Sequence, residues 1–108
     1  MEFWDRHMPV GMRLRSSWDA SHLADPHREY TIDRFQETRG VRFNRPMPLE
    51  NFVEYGRWFQ RQVAPNVDDR RVERVEAAAA GFRVRLADGD VLKAAWVIVA
   101  AGIAPFAY

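Results

Sequence analysis

The side chains able to do chemistry are few and scattered. His7, His22 and His27 do not pair at helical spacing with a carboxylate to complete a metal site. Ser, His and Asp all occur, yet no Gly-x-Ser-x-Gly turn presents a serine as a nucleophile. Cysteine is absent, so thiolate nucleophiles, thiolate metal sites and disulfides are excluded. What remains is suited to holding a ligand rather than attacking one. Arg13, Ser16 and Ser17 lie close together, and their plain reading is a solvated loop in which Ser17 caps a turn reaching Ala24. Ala101-Gly102 closes the longest apolar run, Ala94 to Ala101, and residues this small let another group approach the backbone. By itself Gly102 reads as an ordinary strand end.

The elements around these residues are legible to different degrees. Residues 1–48 are irregular, punctuated by Pro9, Gly11, Pro26, Gly40, Pro46 and Pro48. Thr31 is suited to cap a short helix through Arg39, with Ile32 and Phe35 on one side and Gly40 as its stop. The clearest helix is Pro48 to Val63. Leu49, Phe52, Val53, Gly56, Phe59 and Val63 follow the spacing of one buried face, and Gly56 on that face admits a close backbone. Ala64-Pro65 ends it. Trp18 and Trp58 read as core residues rather than stacking platforms.

Arg71 to Glu76 is a weak strand with imperfect alternation. Phe82, Val84 and Leu86 alternate strictly with Arg83 and Arg85, and Asp88-Gly89 is the signal of a type I′ hairpin turn. Val91 onward returns antiparallel. Asp68-Asp69 and Arg70-Arg71 read as a solvated turn. Trp96 to Ala101 is apolar on both faces, the texture of a strand buried inside a parallel sheet.

Composition bounds the class. One hundred and eight residues suffice for one small domain, and 47% hydrophobic with 29% charged residues is ordinary globular composition. Sixteen basic residues face fifteen acidic ones, with signs mixed along the chain, so no nucleic-acid stripe or polybasic membrane tail stands out. The first residues carry an acid where a signal peptide would be basic, and the longest apolar run is too short to span a bilayer. A cytoplasmic protein is expected, without nucleic-acid or membrane partners.

The order helix, strand, hairpin, apolar run, glycine carries a resemblance. The stretch Val97-Ile-Val-Ala-Ala-Gly-Ile-Ala-Pro-Phe106 resembles the second FAD signature of two-dinucleotide-domain flavoproteins: flavin-containing monooxygenases, Baeyer–Villiger monooxygenases and lysine or ornithine N-hydroxylases. The meander Gly81 to Gly89 is similar to the one that precedes that signature. Val72-Glu-Arg-Val75 stands where these families place a valine whose backbone meets the adenine. Pro9 to Trp18 resembles the loop near the isoalloxazine. The resemblance implies an α/β fold, an incomplete Rossmann-like FAD-binding domain with an antiparallel β-meander, although these residues alone read as α+β. Residues 1–47 would be a flavin-side loop region with short helices, 48–64 a helix, 70–95 the meander, and 96–108 a buried strand and glycine turn.

It further implies FAD as cofactor, NAD(P)H as reductant and a small-molecule substrate, with Ala101, Gly102, Ile103, Val72, Arg13, Ser16 and Ser17 as cofactor contacts. No catalytic residue is assigned. The Gly-x-Gly-x-x-Gly turn that cradles the pyrophosphate is missing, as is any NAD(P)-binding repeat. The expectation is therefore an internal portion of a flavoprotein that needs the remainder of its parent domain. The competing expectation is a non-catalytic α+β module that binds a small ligand or a protein.

Overall fold

The structure, a computed structural model, describes residues 1–102. The chain divides into two compact units that part after Val67. The chain as a whole is α+β: the described helices all lie in the first unit, the second is strand alone, and the pairing is antiparallel throughout the sheets.

The first unit is built on rings. Helix α3, Leu49–Val63, begins after Pro48, whose extended backbone makes it the cap rather than the first helical residue. Its buried face comprises Leu49, Phe52, Val53, Tyr55, Gly56 and Trp58. That face is rotated from the one expected: Tyr55 and Trp58 are buried, Phe59 is half-buried and Val63 is exposed. The cause is helix α2, Ile32–Arg39, which brings Phe35 to 5.3 Å from Trp58 and 6.0 Å from Tyr55, ring centre to ring centre. Rings bury more area than aliphatic chains, and tilted or edge-on pairs add about 0.5–1.5 kcal/mol beyond that area. They therefore decide which side of α3 faces inward.

Helix α2 forms as its caps dictate. The Thr31 hydroxyl accepts the Arg34 N–H at 3.2 Å, and Gly40 ends the helix in left-handed backbone. The Val41 N–H then reaches back to the Gln36 carbonyl at 3.0 Å, a Schellman closure.

Three elements of this unit carry no clear sequence signal. A short helix, α1, spans Glu2–His7 and sets Trp4 edge-on against Phe52. The Met1 side chain lies over Gly56, so the space at that glycine is taken by a thioether rather than by a second backbone. Strands β1, Arg13–Leu14, and β2, Met47–Pro48, form a two-residue antiparallel bridge. In place of the expected Ser17-capped turn reaching Ala24 there is one 3₁₀ turn, Asp19–Ser21, whose cap residue, Trp18, makes no side-chain cap hydrogen bond.

The second unit is a three-stranded antiparallel meander of β3, Val72–Ala78, β4, Gly81–Leu86, and β5, Val91–Ala94. The imperfect alternation of β3 has a structural cause. A register shift between Val72 and Arg74 leaves Val72 opposite Leu86 and Val75 opposite Val84, so both valines share the apolar face despite their odd spacing. Two glycines close the hairpins. Gly89 has φ +93°, its N–H bonds the Leu86 carbonyl at 3.0 Å, and Leu86 N–H bonds Asp90 O at 2.9 Å. Asp88 does not have positive φ, so the turn is the three-residue loop ending in a left-handed glycine, and not type I′. At the other end Gly81 has φ +87°, and a Cβ there would sit 2.3 Å from the Ala94 carbonyl oxygen.

The expected strand at 97–101 is not formed. β5 ends at Ala94, the chain bends at Ala95, and no strand follows among the described residues. Trp96, Ile98 and Val99 are 87%, 90% and 82% exposed. A strand apolar on both faces needs hydrogen-bonding neighbours at its edges and cover above and below. The meander provides none of these, because Ala94 is the last residue to pair with β4.

Candidate functional site

The residues singled out in the sequence fall into two groups, one in each unit. In the first unit, Arg13 lies in β1 and its guanidinium donates to the Pro46 carbonyl at 3.1 Å, helping to hold β1 against β2. The Ser16 and Ser21 hydroxyls are 2.7 Å apart. Ser17 accepts the Ala20 N–H weakly, at 3.4 Å, and its carbonyl receives the Ser21 hydroxyl at 2.9 Å. These polar groups are used in organising their own loop. Trp18 seals it: its indole N–H donates to Asp33 Oδ1 at 3.0 Å, and the Arg45 guanidinium stacks 4.2 Å from its ring centre.

In the second unit, Val72 opens β3 opposite Leu86. Ala101 and Gly102 lie exposed beyond β5. Gly102 has φ +70°, where an L side chain is strained, and among the described residues other than its chain neighbours no atom lies within 4 Å of where its Cβ would be. Ile103 lies outside the described residues.

Sequence reading missed the groups that organise the first unit. Tyr55 is fully buried; its hydroxyl donates to the Tyr30 carbonyl at 2.8 Å and accepts the Leu23 N–H at 3.1 Å. Burial pushes that hydroxyl above the usual tyrosine range. Asp25 accepts the N–H groups of Tyr30 at 2.6 Å and His27 at 3.1 Å. The Tyr30 bond, foremost, holds its carboxylate below the ordinary range. The signal for Asp25 was present, since an aspartate before proline commonly bonds backbone two residues on.

His22 is the most constrained of the three histidines. Its Nδ1 accepts the Ile32 N–H at 3.1 Å, at the start of α2. The neutral ring therefore carries its proton on Nε2. That buried N–H makes no hydrogen bond with a described residue, and the nearest carboxylate oxygens, on Asp19 and Asp33, are 3.9 and 4.0 Å away. A proton at Nε2 also bars a metal there. Among the described residues no group of three or more His, Cys, Asp or Glu is arranged to hold a metal ion. A hollow of about 270 Å³ beside His22 is lined by Asp19, Leu23, Asp25, Arg28 and Thr31. A larger one, about 510 Å³ at the end of α2, contains none of the residues proposed to meet a cofactor.

Arg70 has a defined role where a solvated turn was expected. Its guanidinium holds Asp68 through Nη2 at 2.8 Å, and Asp88 and Asp90 through Nη1 at 2.9 and 2.6 Å. The segment leading into β3 is thereby tied to the β4–β5 turn. The arginine holds Asp68 down to about 2 and lowers Asp88 as well. All four side chains remain well exposed, so each pair contributes modestly.

No family model, curated protein or solved structure matches the chain. No helix among the described residues is long and apolar enough to cross a membrane.

Proposed function

We propose that the chain is part of a cytoplasmic FAD-dependent oxidoreductase that draws electrons from NAD(P)H and acts on a small molecule, in the manner of the flavin monooxygenases. The observation that carries this reading is the exposed run Trp96 to Ala101 ending at Gly102. Three large apolar side chains stand in water there, and an apolar surface of this kind calls for cover. A Rossmann-like sheet would supply strand neighbours on both edges, and the run would then bring a glycine with open surroundings to the cofactor.

The residues divide in how well they suit the cofactor. Ala101 and Gly102 suit it, because small residues in open backbone admit a phosphate or ribityl group that a larger side chain would exclude. Val72, at the start of β3, would offer backbone groups to an adenine, and Ile103 would follow Gly102 beside the flavin. Arg13, Ser16 and Ser17 suit it less, since their polar atoms are engaged within the first unit. When bound, FAD would supply the electron transfer. The protein's share is to position the ring and exclude water. The diphosphate needs backbone N–H groups at a helix N-terminus after a glycine turn, and these residues contain no such turn. That cradle must come from the remainder of the domain.

The test is a titration with FAD followed by flavin fluorescence. The chain by itself is expected to bind more weakly than about 100 μM, and the chain joined to the sequence encoded ahead of Met1 in the low micromolar range. Gly102→Val should weaken the joined protein at least about tenfold by crowding the approach. A stable yellow complex of the 108 residues alone would contradict the need for a remainder of the domain, and indifference of the joined protein to Gly102→Val would contradict the cofactor site.

The second reading is a non-catalytic α+β binding module. It is favoured by the meander, which pairs β3, β4 and β5 without help from any other strand. Such a module would engage its partner with no dependence on FAD.

A further inference from the structure

Folding sorts charges that the sequence leaves mixed. Residues directly opposite in an antiparallel sheet share a face. Arg85 on the central strand stands opposite Arg74 on β3 and Val91 on β5. Arg83 stands opposite Glu76 and Lys93. Beside Glu73, left unpaired at the register shift, the paired positions of one face therefore carry Arg74, Arg83, Arg85 and Lys93 against a single acid. That acid is engaged, with Glu76 Oε1 3.5 Å from Arg74 Nη1. Arg83, Arg85 and Lys93 form no ion pair with any described residue, and all three are exposed. Two like-charged pairs, Arg74–Arg85 and Arg83–Lys93, lie side by side, an arrangement that opposes sheet formation.

We propose that this face docks an acidic polypeptide segment in extended conformation. Arg83 and Arg85 are two residues apart on one strand, about 6.6 Å along it, and cross-strand neighbours are about 5 Å away. An extended chain with Asp or Glu at alternate positions repeats its carboxylates at that same 6.6 Å or so, and can set one against each arginine. Guanidinium groups suit this match, because each can take a carboxylate in two parallel hydrogen bonds. Single-stranded nucleic acid is a poorer fit. It needs rings on which bases stack, and the only ring in the three strands, Phe82, alternates onto the opposite face. An anionic lipid surface is also a poorer fit, since Val91 is the one large apolar residue among the paired positions of this face, beside the small Ala78. The inference does not depend on FAD.

The probe is a labelled peptide of about twelve residues alternating Glu and Thr, titrated with the 108-residue chain at about 20 mM ionic strength, where screening reaches only beyond roughly 20 Å. Binding is expected in the range of about 10–100 μM, falling at least about tenfold at 0.2 M salt. Amide chemical shifts should move at Arg83, Arg85 and Lys93 and stay fixed in α2 and α3. The double variant Arg83→Glu/Arg85→Glu should abolish binding, whereas Arg42→Glu/Arg61→Glu, with the same net-charge change in the first unit, should leave it within about twofold. The wild-type shift map reads the same surface without any substitution. Equal loss in both double variants, or shifts spread over the whole chain, would overturn the proposal. So would binding of a single-stranded oligonucleotide or of phosphatidylserine vesicles that the peptide fails to displace.

Discussion

Tyr55 shows how one polar atom organises a shell of rings. Its hydroxyl bridges the carbonyl of Tyr30 and the N–H of Leu23, joining segments 25 and 32 residues away. Tyr55→Phe keeps the ring and leaves both backbone groups unsatisfied, so a loss of about 1–3 kcal/mol is expected in urea denaturation. The same hydroxyl imposes an alkaline limit. Its pKa is raised in the folded state, so the unfolded chain releases the proton first as pH rises. Stability is full below the ordinary tyrosine pKa of about 10 and falls as pH climbs through the raised value. Tyr55→Phe should flatten that limb of a stability–pH curve. Gly81 is constrained differently, by both backbone and space. Gly81→Ala combines φ +87° with a clash against the Ala94 carbonyl and should cost about 2–4 kcal/mol. Gly40→Ala, strained in φ but open in space, should cost about 1 kcal/mol. Thermal melts of the two variants make the comparison.

At the scale of elements, the Arg70 cluster gives the second unit an acid limit. Asp68 is held at about 2 in the folded chain, below the ordinary aspartate value near 3.8. Its stabilising share is present above that ordinary value and is lost as pH falls through about 2. Carboxyl carbon shifts should show Asp68 titrating there, and Arg70→Gln should return it to the ordinary range while loosening the tie to Asp88 and Asp90.

The elements legible in the sequence were those whose signal is local. Thr31 and Gly40 bounded α2, the spacing of Leu49, Phe52 and Val53 marked α3, and the alternation from Phe82 to Leu86 marked β4. Helix α1 was not legible, because six residues without a side-chain cap owe their form to Trp4 packing on Phe52. Nor was the rotation of α3, which Phe35 decides from another element. Of the candidate site, the open glycine at 102 could be read from small residues after an apolar run. Tyr55 and His22 could not, because their partners are backbone groups that only the fold brings near.

For the whole molecule, the decisive segment is the one whose texture and state disagree. Residues 96–101 have the composition of a buried strand, yet all but the half-buried Val97 stand exposed, one stretch beyond a meander that is complete without them. The proposed function resolves this by giving the segment strand neighbours and setting Gly102 beside FAD. Amide hydrogen exchange at residues 97–102 tests that most directly. It would be measured in the 108-residue chain and in the chain joined to the sequence encoded ahead of Met1, with and without FAD. Exchange should be fast in the isolated chain, slow at 97–100 in the joined protein, and slowed at least about tenfold more at Ala101 and Gly102 by FAD, as open backbone becomes covered. FAD binding that leaves residues 97–102 exchanging as fast as in the isolated chain would contradict the assignment.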